Sequence, residues 1–214
     1  MISQRLYLRQ LEIGPMQNFV YLIGDRVKKE CFMIDPAWDV DTVLRTAQAD
    51  EMKVLGGLIT HTHFDHCNGA ENLIAKTGAK IYVHKNEAGF LKGMKGDLQT
   101  VESGDQLPVG DLNITILHTP GHTPGSQCFM IEGNLVSGDT LFINACGRCD
   151  LPGGNADQMY ESLQKLAGLD PRTILLPGHN YADEPTSTIG QEKKKNPYYQ
   201  CHNLAAFLSL RTGY

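Results

Sequence analysis

Apolar residues along the chain gather in short runs parted by polar and glycine-rich stretches, which is the pattern of strands alternating with turns. Runs of this kind are Phe19 to Ile23, Cys31 to Ile34, Val54 to Thr60, Lys80 to Val83, Leu112 to His118, Cys128 to Ile131, Asn134 to Val136 and Thr173 to Leu176. Between them, Asp41 to Asp50 and Gln158 to Leu169 carry apolar residues every three or four positions, as amphipathic helices do. Asn68 is placed to cap a further helix through Glu71 and Leu73, with Gly78 as its stop. Strands interleaved with helices predict a mixed α/β fold. The local run Glu192-Lys193-Lys194-Lys195 reads as a solvated helix face.

Several strands lead to a side chain able to bind metal. Val54 to Thr60 runs into His61, Ile114 to Leu117 toward His122, Leu135-Val136 toward Asp139, and Ile174 to Leu176 toward His179. Open α/β sheets place their sites at such C-terminal strand ends, so these groups are expected to share one pocket.

Composition changes the picture mainly by exclusion. A length of 214 residues, 41% hydrophobic and 20% charged, predicts one domain over residues 1–214. The net charge of −5 offers no basic footprint for nucleic acid or anionic lipid. No stretch approaches a membrane span, and Met1 to Leu6 lacks the design of a signal peptide, so a cytoplasmic protein is expected. The six cysteines, at 31, 67, 128, 146, 149 and 201, follow no disulfide framework. The Cys146/Cys149 pair lacks the second pair of a structural zinc site.

Three of the eight histidines fall together in His61-Thr62-His63-Phe64-Asp65-His66. Imidazole with carboxylate is a donor set suited to zinc or iron. A straight strand would put His61, His63 and Asp65 on one face and His66 on the other, so the chain must turn at about Asp65. Asn68-Gly69 and the helix after them supply that turn. Two dications held close together call for a bridging anion, and the carboxylate of Asp139 in Ser137-Gly138-Asp139 can serve where a neutral histidine cannot. Asp35-Pro36 is a turn whose carboxylate could also orient a metal-bound histidine.

Thr60 to His66, then Pro120-Gly121-His122-Thr123-Pro124-Gly125, Gly138-Asp139-Thr140-Leu141-Phe142 and Pro177-Gly178-His179 resemble, in order and spacing, the ligand motifs of the metallo-β-lactamase superfamily. The resemblance spans nearly the whole chain. It implies a four-layer αβ/βα sandwich with a metal site at one edge and a short C-terminal helical extension. It also implies His61, His63 and His122 on one metal, Asp65, His66 and His179 on a second, and Asp139 between them. Within the superfamily the chain looks like the glyoxalase II group of thioester hydrolases, in its short bacterial form, and like the related persulfide dioxygenases. The first likeness implies two zinc ions and a metal-bound hydroxide, held in line by Asp65, that attacks a thioester carbonyl. The second implies iron, in one or two sites, with His61, His122 and Asp139 as a two-histidine, one-carboxylate triad acting on glutathione persulfide.

A small thioester or thiol-derived substrate is therefore expected, glutathione thioesters among the candidates. By the same resemblance, Arg148 and Tyr181 match a basic residue and a tyrosine that bind glutathione, although a rim aromatic is an equally good reading of Tyr181. Asp150 stands where full-length glyoxalase II has a second tyrosine, and little chain follows His179 to supply that enzyme's helical region. His84, His118 and His202 are read as ordinary core or surface histidines.

Overall fold

The computed structural model describes residues 4–212. Two six-stranded sheets stack face to face. The first runs in the order β1 (Leu6–Ile13), β2 (Asn18–Asp25), β3 (Glu30–Ile34), β4 (Lys53–Leu58), β5 (Lys80–His84) and β6 (Leu98–Val101). The second has the later strands β7 (Gln106–Val109), β8 (Leu112–His118), β9 (Gln127–Ile131), β10 (Asn134–Gly138), β13 (Ile174–Pro177) and β14 (Ser187–Thr188), in the order β14-β13-β10-β9-β8-β7. A small ribbon, β11 (Leu141–Phe142) with β12 (Ala145–Cys146), stands apart.

Alternation along the strands explains the layers. Phe19, Tyr21 and Ile23 of β2 face Ile114, Ile116 and Phe129 of the second sheet and form the central core. The intervening Val20 and Leu22 point the other way, onto Val40, Val43 and Ala47 of α1 (Val40–Ala49) and Leu73 of α3 (Ala70–Thr77). On the outer face of the second sheet, Cys128, Leu135 and Leu175 pack on Met159, Leu163 and Leu166 of α4 (Ala156–Ala167). Helices α5 (Ile189–Lys195) and α6 (Leu204–Thr212) lie against α4, with Ile189 and Phe207 buried in the same layer. Helix, sheet, sheet, helix is the αβ/βα sandwich that the sequence implies.

The helices form where the sequence places them because their caps are local. Asp39 accepts from the Thr42 N–H (3.0 Å) to start α1, and Asn155 accepts from the Gln158 N–H (2.9 Å) to start α4. Lys193, Lys194 and Lys195 are exposed on α5 as expected, but Glu192 is a correction: it is buried, accepting from the Asn144 N–H, the Ser187 hydroxyl and Asn196 Nδ2. Asn68 is a correction. Gly69, with no side-chain bond, caps α3, while the Asn68 amide oxygen accepts from the Trp38 N–H at 2.7 Å. The Gly78 stop is observed, at φ 67°. No helix among the described residues is long and apolar enough to cross a membrane.

Candidate metal centre

Seven side chains converge at one edge of the sandwich. His61 and His63 follow β4, Asp65 and His66 lie in the one-turn helix α2 (Phe64–Cys67), and His122, Asp139 and His179 follow β8, β10 and β13. The turn comes two residues earlier than expected, because His63 is already the extended residue before α2 (φ −62°, ψ 143°). That bend brings Asp65 and His66 round to face His179 and Asp139. His61, His66, His122 and His179 are all buried, and Asp65 nearly so.

Three overlapping groups of metal-capable atoms result: a first set from His61, His63 and His122, a second from Asp65, His66 and His179, and His61, His66 and Asp139 joining the two. In the first, His63 Nδ1 lies 3.1 Å from His61 Nε2 and 2.9 Å from His122 Nε2. In the second, Asp65 Oδ2 is 3.4 Å from both His66 Nε2 and His179 Nε2. Asp139 touches both sets: Oδ1 is 3.4 Å from His66 Nε2, and Oδ2 is 3.5 Å from His122 Nε2 and from His179 Nε2.

The outward contacts of the rings test whether a cation fits between them. His66 Nδ1 faces Asp35 Oδ2 at 2.9 Å, His122 Nδ1 the Arg148 carbonyl at 2.7 Å, and His179 Nδ1 the Met16 carbonyl at 2.9 Å. Carboxylate and carbonyl oxygens only accept, so each Nδ1 carries a proton, and each of these rings, when neutral, turns its Nε2 lone pair inward. Yet His66 Nε2 and His179 Nε2 stand 3.1 Å apart. A proton on His66 bridges that pair when the ring is charged, but Asp139 Oδ1 is buried with no donor among the described residues. A buried carboxylate oxygen without a donor, set among inward-facing imidazole nitrogens, is what a bound cation would satisfy.

Electrostatics agree. Burial, then the charge of neighbouring histidines, holds the His61 pKa well below the usual imidazole value. Burial would also raise Asp139, but His66, His179 and His61 keep its carboxyl far below the ordinary range. Burial works against the imidazolium of His66 too, yet Asp139, Asp35 and Asp65 outweigh it and push the pKa up to about 9. Carboxylate charge inside this site thus favours a positive charge on its neighbours.

The motif spacing and this geometry agree with one family, the metallo-beta-lactamase superfamily, whose model matches residues 13–179. The chain belongs to that superfamily. It is 32% identical over 195 residues to the probable polyketide biosynthesis zinc-dependent hydrolase BaeB of Bacillus velezensis, covering 91% of this chain and 87% of that protein. It is 37% identical over 174 residues to a hydroxyacylglutathione hydrolase of Rhodospirillum rubrum (80% and 65% covered). Over 199 residues it is 32% identical to the human mitochondrial persulfide dioxygenase ETHE1 (90% and 75% covered). Among solved structures, ETHE1 from Myxococcus xanthus superposes with a TM-score of 0.88 at 30% identity, covering 96% of this chain and 90% of that one.

Beyond the metallo-beta-lactamase motifs, the structure adds residues that the sequence reading missed. Asn18 Nδ2 donates to Asp65 Oδ2 (2.9 Å) and to the Asp65 carbonyl (3.1 Å), while Trp38 Nε1 donates to Asn18 Oδ1 (2.8 Å). This chain fixes the one carboxylate of α2. Glu87, fully buried, accepts from the Thr62 N–H (2.9 Å) and hydroxyl and from the Gly125 N–H (2.8 Å), so it ties two ligand loops together. Asp35 was a turn with an optional role; it holds His66. Its Oδ1 also accepts from the Thr60 N–H and Oδ2 from the Thr60 hydroxyl, both at 2.7 Å.

The two expected substrate contacts differ. Arg148 meets the site through its carbonyl, while its guanidinium turns out to Asp150 (Nε to Oδ1 3.0 Å, Nη2 to Oδ2 2.8 Å). Tyr181 stacks on His179, rings nearly parallel (9°) and 4.6 Å apart, with most of its surface open. Burial, then the carboxylates of Asp139 and Asp65, raises its phenol pKa. No thiol is aimed at the centre: Cys67 Sγ meets the carbonyls of Thr62 and His63, and Cys149 Sγ the Gly147 carbonyl, and all six cysteines are free.

Proposed function

We propose that the protein is a metal-dependent thioester hydrolase holding two zinc ions. His61, His63 and His122 would hold one, Asp65, His66 and His179 the other, with Asp139 between them. The observation that carries this reading is the position of Asp139, whose two oxygens reach His66 of one set and His122 of the other. A carboxylate so placed supports a dinuclear site better than a mononuclear one. Once bound, the ions would polarise a carbonyl oxygen and bring the pKa of water from about 15.7 toward 7.

The chain's own groups support the rest. Asp65, pinned by Asn18, presents Oδ2 toward the middle of the centre, where it can accept a proton from an attacking water and hold it in line. Ser137 is not a competing nucleophile, since its buried hydroxyl donates to the Leu141 carbonyl at 2.7 Å. A thiol leaving group has a pKa near 8.5, so it departs as thiolate without a strong acid beside it. That suits a site whose nearby side chains are acceptors.

The likeness to the human persulfide dioxygenase favours a second reading, in which His61, His122 and Asp139 hold a single iron and leave positions for dioxygen and a persulfide sulfur. Metal analysis joined to two assays separates them. About two zinc per chain with hydrolysis of a thioester supports the first. One iron with oxygen uptake on glutathione persulfide overturns it. Asp139→Ala is expected to lose metal and activity together, and a variant keeping both refutes the bridging role.

A further inference from the structure

Three of the six large apolar side chains most open to solvent among the described residues stand around the metal centre. Phe64 is 71% exposed, Tyr181 60% and Met16 46%. Each is bound to the centre by position: Phe64 stands between His63 and Asp65, Tyr181 lies on His179, and the Met16 carbonyl holds His179 Nδ1. Their exposure is built rather than incidental. The Phe64 ring meets Trp38 edge-on at 5.8 Å, and Tyr181 leans on Phe142 at 5.7 Å. Beside His179, Phe142, Pro177 and Tyr181 line a cavity of about 70 Å³, about two water volumes. Leaving such rings in water is unfavourable unless something apolar covers them during the reaction.

The cations near this rim stand beside carboxylates, Lys195 lining one cavity with Asp183 and Glu184 and Arg211 another with Asp150. The guanidinium of Arg148 is engaged with Asp150, and the residues that follow Tyr181 include exposed Asp183 and Glu184. Those carboxylates repel the two carboxylates of glutathione. Thiol carriers are polar amides or anions along their length, so the apolar rim matches the acyl half of a thioester.

Resting on the thioesterase reading, we infer that the substrate carries an apolar acyl chain, held against Met16, Phe64 and Tyr181, on a thiol other than glutathione. Hydrolysis adds water across the C–S bond, giving a free carboxylic acid and a thiol. The reaction supplying the substrate is then an acyl transfer onto a thiol.

The test is a series of acyl-N-acetylcysteamine thioesters from acetyl to octanoyl, with S-lactoylglutathione alongside, on the protein as purified. Each methylene that reaches the rim is expected to raise kcat/KM up to about fourfold, and the series at least about tenfold. Phe64→Ser and Met16→Ser are each expected to cut the octanoyl-to-acetyl ratio of kcat/KM threefold or more. Trp38, the sole tryptophan, lies against Phe64, so its fluorescence gives a readout independent of turnover. The ketone analogue of the octanoyl thioester, which cannot be hydrolysed, is expected to shift that signal at lower concentration than the acetyl analogue, and Phe64→Ser to abolish the difference. A flat chain-length series, or S-lactoylglutathione preferred over octanoyl, overturns the inference while leaving a thioesterase. Absence of turnover on every thioester, with oxygen uptake on a persulfide, overturns the reading beneath it.

Discussion

Replacing Asp35 with asparagine exchanges one carboxylate oxygen for an NH2 and should reset the direction in which His66 points its lone pair. The residue sits at φ 52°, a left-handed conformation that asparagine tolerates, so the backbone has no reason to move. Asp35 Oδ1 must accept from the Thr60 N–H, which forces the new NH2 onto the Oδ2 position, facing Thr60 Oγ1 and His66 Nδ1. A donor there requires His66 Nδ1 to accept. The imidazole proton then moves to Nε2, the atom aimed at the metal site. The opposite amide orientation sets NH2 against the Thr60 N–H and strands a buried donor, at about 1–3 kcal/mol. The Thr60 hydroxyl, 3.1 Å from His61 Nδ1, passes part of the disturbance to a second ring. Losing such an orienting partner typically lowers metal affinity about 10- to 100-fold, or about 1.4–2.8 kcal/mol. Zinc affinity measured by competition with a chromophoric chelator, with melting of the metal-free proteins as control, reads this directly. Affinity within about twofold of the parent refutes the claim that Asp35 sets the His66 tautomer. Asp35→Ala would be a poorer probe, since it adds backbone strain at the same φ.

Three further outcomes follow from other parts of the fold. A Cβ at Gly147 would lie 1.7 Å from the Asp139 carbonyl, so Gly147→Ala must shift Asp139 and the adjoining Arg148 carbonyl; a loss of about 2 kcal/mol or more and reduced metal content are expected, and unchanged melting and metal would show the segment to be slack. His84 lies stacked on His118 at 4.0 Å, and burial followed by that neighbour lowers its pKa to about 4. The unfolded chain therefore binds the extra proton first: this stability is full above pH of about 6.5 and declines toward pH 4. Urea unfolding at pH 7 and pH 5 should show a smaller difference for His84→Phe than for the parent, and an equal difference rejects the assignment. Phe129, fully buried between the sheets, is expected to cost about 3–5 kcal/mol as Phe129→Ala, and a urea-derived loss below about 1.5 would mean that the sheets close over the gap.

The ligand residues were legible because chemistry and periodicity coincide: a buried strand stops, and the next polar residue is a histidine or aspartate. The groups that orient them were harder to read. Asn18, Trp38 and Glu87 belong to β2, to the turn before α1 and to the segment after β5, and each acts on a residue at least 20 positions away. No local pattern marks such a partner; only the packing of the sheets does. Strand β1 escaped for a different reason. Its sequence LYLRQLEI alternates weakly, and Arg9 and Glu12 break the apolar face because β1 is an edge strand with one side in water. Strands β7 and β14 are short edges, and Pro108 is tolerated in β7 only because its outer side needs no partner.

The site's position between the sheets explains why so many polar groups are buried there. His61, His63, Asp65 and His66 come from the first sheet, and His122, Asp139 and His179 from the second. Holding two rigid layers in register at one edge needs bonds that cross between them. The Gln127 N–H donates to the Thr60 carbonyl (2.9 Å), Gln127 Nε2 to the Ile59 carbonyl (2.8 Å), the Phe19 N–H to the Gly178 carbonyl (2.8 Å) and the Tyr21 hydroxyl to the Pro177 carbonyl (2.6 Å). With Glu87, they close the sandwich beside the ligands. Each joins a residue within two positions of a ligand on one sheet to the other sheet, so a shift of either layer would move about half of the donor set relative to the rest. Apolar packing alone specifies such register weakly, because it is non-directional; the directional bonds make the difference.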